Sequence, residues 1–104
     1  AGHQYGWMGE EYLQACRQSL DEIQMLTESF MDEYTIIITA DHGGHDRTHG
    51  SLEKEDMLIP LICIGPDFCP GSRFEQAGIC DIAPTITRLS GASPAREWEG
   101  NSLI

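Results

Sequence analysis

Residues 34–44 carry the stretch that decides the fold, Tyr34-Thr35-Ile36-Ile37-Ile38-Thr39-Ala40-Asp41-His42-Gly43-Gly44. Its first half is apolar and β-branched without polar alternation, which predicts a strand covered on both faces, as in a parallel sheet. Its second half places a carboxylate beside an imidazole where that strand ends, and His49 adds another imidazole within Thr48-His49-Gly50. Such donors suit zinc or manganese. The pattern predicts a metal site on an α/β scaffold.

The segments on either side of this stretch predict the remaining elements. Apolar residues recur at spacings of three and four across residues 9–31, which indicates a helix. Residues 42–56 form a polar loop, and residues 57–64 form a second buried strand in which Pro60 indicates an edge, a bulge or an irregular start. Asp81 is placed to cap a last helix that ends at Gly91. This order of elements fits a piece of an α/β sandwich.

Length and charge restrict the classes of function. The 104 residues make at most one ordinary domain, and a net charge of −11 disfavours nucleic-acid duplexes and anionic membrane surfaces as partners. No apolar run approaches the ~20 residues of a membrane span. The sequence opens without Met, so we expect the natural N-terminus to lie upstream, and no targeting segment is visible.

The four cysteines lack the spacing of a zinc knuckle or a thioredoxin-like motif. They are Cys16, Cys63, Cys69 and Cys80. We interpret them as small apolar side chains of a reduced protein, which weakly favours a cytoplasmic location. A disulfide between Cys69 and Cys80 is left open.

The motifs resemble those of the alkaline phosphatase superfamily, with the type I phosphodiesterase or nucleotide pyrophosphatase branch as the nearest match. The shared segments, in the family's order, are Gly2-His3, residues 39–44, His49-Gly50, Ile59-Pro60-Leu61-Ile62, Gly65-Pro66, residues 81–86, Leu89-Ser90-Gly91 and residues 97–103. The resemblance implies that residues 1–104 are the C-terminal portion of a catalytic domain. It also implies part of a three-layer α/β/α sandwich with a mostly parallel sheet.

The same resemblance implies two divalent metal ions, with zinc as the first expectation and manganese as the alternative. His3 and His49 would bind one ion, and Asp41 and His42 the other. The family's nucleophile and remaining ligands would lie upstream, so we expect no catalytic nucleophile within this chain and no turnover by it alone.

Each of these residues has a simpler interpretation. The pair Asp41-His42 could form an Asx turn with a solvent-exposed imidazole, and His3 or His49 could be ordinary surface histidines. His45 competes with His49 for the role of the late ligand. His45, Asp46 and Arg47 would support the metal ligands or face the substrate, and their simpler interpretation is exposed loop polarity.

The expected function is hydrolysis of a small-molecule phosphodiester or phosphomonoester. The alternatives are a sulfatase-like hydrolase, a phosphotransferase of the same superfamily, or a non-catalytic metal-binding domain. Sulfatases carry Lys at the late position and a Cys-x-Pro-x-Arg nucleophile motif, which Cys69-Pro70-Gly71-Ser72-Arg73 does not reproduce. Cofactor-independent phosphoglycerate mutases rank lower still, since they usually continue with Gly-Asn and have a longer gap to the late His.

The expected protein partner is the remainder of the chain's own catalytic domain. Two apolar strands require sheet neighbours and helices on both faces, and self-association of the chain is the alternative way to cover them.

Overall fold

The computed structural model describes all 104 residues and shows a mixed α/β chain. Its elements are α1 (Gly2–Tyr5), α2 (Glu10–Phe30), β1 (Ile36–Thr39), α3 (Lys54–Met57), β2 (Leu61–Ile64), a 3₁₀ turn (Ile79–Asp81) and α4 (Ile82–Leu89). The chain divides into two compact units, Ala1–Gly65 and Pro66–Ile104. Every predicted metal ligand belongs to the first unit.

The long helix α2 follows the predicted periodicity closely, beginning at Glu10 and ending at Phe30. Glu10 and Glu11 lie in the first turn, where the helix macrodipole favours negative charge. On its polar side, Gln24 Nε2 donates to Glu28 Oε1 at 2.7 Å. No residue of α2 is fully buried, so its apolar stripe is only partly covered within the chain.

The two strands pair antiparallel, from Ile36 opposite Ile64 to Thr39 opposite Leu61, so the predicted parallel pairing is not found. A parallel pair needs a crossover that carries the chain back along the whole strand, usually a full helix. Between these strands the only helix is α3, a single turn, and the chain therefore returns in the opposite direction. The uninterrupted apolar residues could not show whether the strands pair parallel or antiparallel, because such residues suit any strand that is buried on both faces.

The second strand is also shorter than predicted. It begins at Leu61, directly after Pro60, where the missing proline N–H removes no ladder bond. Of the residues before it, which we expected to start the strand, Met57 ends α3 and residues 58–60 connect the helix to the strand.

In the second unit, α4 begins directly after Asp81, at the predicted boundary. The Asp81 carboxylate does not cap α4: Oδ2 accepts from Gly78 N at 2.8 Å, and Oδ1 accepts from Asn101 N at 2.7 Å. These backbone N–H groups, Asn101 first, lower the pKa of Asp81. The buried Thr85 hydroxyl accepts from Leu103 N at 3.0 Å. The C-terminal segment is therefore fastened to the start of α4.

Much apolar surface stays open in this chain. No Ile, Leu, Met or Phe is fully buried, and Leu20 and Leu26 on α2 are 61% and 59% exposed. The predicted two-sided cover of β1 is not found, since its isoleucines are only half-buried.

All four cysteines are free, so the disulfide left open above is not formed. No helix combines the length and apolarity needed to cross a membrane.

We expect the purified chain to self-associate through its exposed apolar side chains. Replacing both Leu20 and Leu26 by Glu should raise the dissociation constant more than tenfold, since burying one leucine is worth about 1.5–3 kcal/mol. Size-exclusion chromatography with light scattering measures this, with Gln18→Glu as the control that adds charge to α2 without removing apolar surface. A wild-type chain that stays at 11.5 kDa at every concentration would contradict the expectation.

Candidate metal centre

The end of β1 delivers Asp41 and His42 side by side. The carboxylate bends back onto its neighbour, so that Asp41 Oδ1 accepts from His42 N at 2.9 Å. Its other oxygen, Oδ2, lies 3.7 Å from His42 Nε2. The Asp41 side chain is 88% exposed and the His42 side chain 36% exposed, so solvent reaches both side chains.

A hydrogen bond indicates which nitrogen of His42 is free. Its Nδ1 lies 2.6 Å from the carbonyl oxygen of Gly43. Because a carbonyl can only accept, Nδ1 must carry the hydrogen, and in the neutral ring Nε2 is left with its lone pair. Histidines that bind metals are commonly oriented in this way by a backbone carbonyl.

The free nitrogen and the carboxylate form a pair of electron-rich atoms with no hydrogen-bond donor between them. Their separation of 3.7 Å is near the roughly 3.3 Å that separates two ligand atoms about 2 Å from a tetrahedral zinc ion. The chemistry and spacing of Asp41 and His42 therefore fit a divalent cation.

Two further imidazoles gather beside this pair. The ring of His49 stacks on that of His42, with centroids 3.8 Å apart and planes inclined by 19°. The ring of His3, from α1, lies 5.0 Å from that of His49. The four residues predicted from the sequence thus lie together in two adjacent pairs. Asp41 lies beside His42, and His3 lies beside His49. No group of three or more His, Cys, Asp or Glu side chains is arranged to hold a metal ion, so each pair could contribute at most about half of a tetrahedral set.

Trp7 is the centre of this cluster, and our sequence analysis missed it. Its ring lies 5.0 Å from His3, 6.1 Å from His49 and 6.4 Å from His42 between centroids. A Cβ atom on Gly2 or Gly44 would collide with the indole, so both positions must stay small. The sequence of residues 1–8, rich in glycine and aromatic residues, predicts a loop, whereas the structure forms α1 there. The available signal was an aromatic residue four positions after a candidate ligand.

The loop after the cluster is tied back to Trp7. His45 and Thr48 exchange backbone hydrogen bonds of 3.1 and 2.9 Å, which closes a tight turn just before His49. Asp46 occupies the left-handed region in this turn, with φ of 46°, and its carbonyl accepts from Trp7 N at 2.6 Å. This turn therefore fixes the approach of the chain to His49.

His45 faces a different partner from the other imidazoles. Its Nδ1 donates to Asp56 Oδ1 at 2.7 Å, and Asp56 Oδ2 accepts from Ser51 N at 2.7 Å. The hydrogen bond from His45, assisted by Ser51, lowers the pKa of Asp56 from 3.8 to about 2. The same bond raises the pKa of His45 above 6.5. His49 stacks on His42, whereas His45 is turned towards Asp56.

Comparison with known proteins gives one family and several partial relatives. A family model described as the metalloenzyme superfamily matches residues 1–94. The chain is 41% identical over 59 residues to a phosphopentomutase of Edwardsiella ictaluri, covering 57% of this chain and 14% of that protein. It is 31% identical over 75 residues to a 2,3-bisphosphoglycerate-independent phosphoglycerate mutase of Bacteroides thetaiotaomicron, covering 69% and 15%. The chain thus spans about a seventh of these relatives. No solved structure matches it.

We expect His42→Ala to weaken zinc binding by tenfold or more and His45→Asn, which keeps a donor for Asp56 but removes Nε2, to weaken it much less. His42 offers a free Nε2 beside a carboxylate, whereas His45 only holds the loop. Calorimetric titration of zinc into wild type and both variants measures the difference. Equal losses would mean that the ligand set is misassigned, and a larger loss for His45→Asn would assign the late-ligand role to His45.

The pair of His45 and Asp56 should make loop stability depend on pH. Asp56 has a lowered pKa, so its contribution is complete above pH 3.8 and is lost as the pH falls through about 2. His45 has a raised pKa, so its contribution is complete below pH 6.5 and is lost as the pH rises through the raised value. NMR titration should give a His45 midpoint above 6.5 that returns towards 6.5 in Asp56→Asn. A wild-type midpoint at or below 6.5 would contradict the pairing.

Proposed function

The chain belongs to the metalloenzyme superfamily, and on that premise we propose that it is part of a phosphoryl-transfer enzyme that uses two divalent metal ions. The observation that carries the proposal is the gathering of three imidazoles around Trp7, with the carboxylate of Asp41 beside one of them, His42. His42 and His49 stack at 3.8 Å although they come from opposite ends of a loop. Such a concentration of imidazole nitrogens and a carboxylate suits zinc, with manganese as the alternative.

We assign the ligands in the two pairs that lie adjacent in space. Asp41 and His42 would hold one ion, and His3 and His49 the other. When bound, the two ions would stabilise the negative charge on the attacking and leaving oxygens of an in-line displacement. The chain itself orients the donors: the carbonyl of Gly43 fixes the tautomer of His42, and the indole of Trp7 supports the rings.

The charge of the chain supports a role for bound cations. Seventeen acidic residues against six basic ones would repel an anionic phosphate ester. Divalent ions at Asp41, His42, His3 and His49 would reverse the sign of the potential at the place where the substrate binds. A small-molecule phosphate ester is therefore the substrate class that we propose.

The names of the relatives favour phosphate transfer over hydrolysis. They denote mutases that act on pentose phosphates and phosphoglycerates. We therefore propose a phosphotransferase of the mutase type, which was an alternative in the sequence analysis, and we place hydrolysis second. The phosphodiesterase branch indicated by the motifs is not represented among these relatives, whereas the phosphoglycerate mutases, which the motifs ranked low, are. The nucleophile and the remaining ligands would come from residues outside this chain.

The test is to follow the fate of the phosphorus atom. The protein in its longest natural form is incubated with zinc or manganese and a pentose phosphate, a phosphoglycerate or a chromogenic phosphodiester. A new phosphomonoester signal in ³¹P NMR supports transfer, and we expect His42→Ala to reduce its rate at least a hundredfold.

The other outcomes separate the alternatives. Release of inorganic phosphate from a phosphate ester without a transferred product would replace the mutase by a hydrolase. Tight metal binding with no phosphorus chemistry on any of the substrates would support a non-catalytic metal-binding domain. Turnover that is independent of metal would contradict the proposal.

A further inference from the structure

Asp56 is the only charged side chain that is buried in the chain, with 4% of the residue exposed. It has no partner lysine or arginine, yet no buried side-chain oxygen or nitrogen is left without a hydrogen bond. A buried carboxylate is costly unless each oxygen is satisfied, so its surroundings must hold donors firmly in place. The donors here are His45 Nδ1 and Ser51 N, each at 2.7 Å.

These contacts fasten the loop at both of its ends. Asp56 also uses its backbone carbonyl, which accepts from Gly43 N at 2.9 Å, and the carbonyl of Glu55 accepts from Gly44 N at 2.7 Å. Gly43 and Gly44 directly follow His42, and Ser51 lies two positions after His49. One residue on α3 therefore fixes the chain immediately after the first imidazole and two positions after the second.

The close approach at the first end requires glycine. A Cβ atom on Gly43 would collide with the carbonyl of Glu55. The loop and α3 are therefore in direct backbone contact, and a displacement of Asp56 must move residues 43–51. Because His42 directly precedes those residues and His49 lies among them, the separation of 3.8 Å between the two ring centroids depends on the same contacts.

We propose that Asp56 is the positioning residue of the candidate metal centre, which sets the spacing of His42 and His49 through His45, Ser51 and Gly43 without touching either imidazole. This inference rests on the proposed metal-dependent function only for its effect on metal binding. The effect on the spacing of the two imidazoles stands without any metal.

A competing explanation makes His45 itself a ligand. A histidine that binds a metal commonly donates its second nitrogen to a carboxylate, which is the arrangement of His45 and Asp56. The two explanations differ in what they require of Nε2. As a ligand, His45 needs Nε2, whereas as a link in the positioning contacts it needs only the donor at Nδ1.

The experiment uses the full 104-residue chain and three variants. Asp56→Asn keeps the size of the side chain but loses one acceptor oxygen. His45→Asn keeps a donor near the position of Nδ1 and removes Nε2. Asp32→Asn makes the same chemical change at an exposed acidic residue and serves as the matched control.

Two readouts are taken for each protein. The first, without metal, is the nuclear Overhauser effect between the ring protons of His42 and His49, which reports their spacing. The second is zinc affinity from calorimetry. For Asp56→Asn we expect a weakened Overhauser effect. We also expect a loss of zinc affinity of about 10–100-fold, which is the usual range for residues that orient metal ligands. His45→Asn and Asp32→Asn should keep both within about threefold of wild type.

Thermal unfolding separates positioning from simple loss of stability. Thr85→Val removes a buried hydrogen-bonding group in the other unit, so it should lower stability while leaving the His42–His49 signal intact.

If Asp56→Asn retains both the Overhauser effect and the zinc affinity, the proposal is overturned. It is also overturned if His45→Asn loses as much zinc affinity as Asp56→Asn while the imidazole spacing is unchanged in both. Absence of zinc binding in wild type would refute the proposed metal site, whereas the Overhauser effect would still decide the role of Asp56.

Discussion

The first unit depends on the way in which the chain reverses after β1. The backbone N–H groups of Gly43 and Gly44 donate to the carbonyls of Asp56 and Glu55, respectively. Because the two glycines have no side chains, the backbone of the loop can approach the backbone of α3 closely. This contact turns the chain back, so that β2 pairs antiparallel with β1. It also leaves the space at Gly44 that the indole of Trp7 occupies. The pairing of the strands, the loop and the cluster of imidazoles all follow from one steric requirement for glycine.

Local patterns in the sequence predicted the elements well where their cause is local. Helix α2 is encoded by its own apolar repeat, and α4 begins beside Asp81 as expected. The direction of β2 was not predictable from apolar content, because the path between the strands sets it. The missing part of β2 has a local cause as well, since Pro60 cannot donate within a ladder.

The same distinction between local and long-range causes applies to the residues of the candidate site. Asp41, His42 and His49 were identifiable because their chemistry is concentrated in a short stretch, and His3 because of a family resemblance. Trp7 and Asp56 were not identified, since their importance arises from contacts between segments distant in sequence. Asp56 appears in the sequence as one acidic residue among several in a polar loop, and only its burial distinguishes it. The side chains that could bind a metal are thus easier to find than those that hold them.

The packing of Trp7 has an optical consequence. Indole emission responds to nearby electron acceptors, and protonated or metal-bound imidazoles are effective quenchers. With His3, His42 and His49 all around its ring, Trp7 is placed to report the state of the cluster through its own fluorescence. The only other tryptophan, Trp98, lies in the second unit and is substantially exposed, so its emission should differ in wavelength. The chain therefore carries an intrinsic spectroscopic probe at the centre of its imidazole cluster.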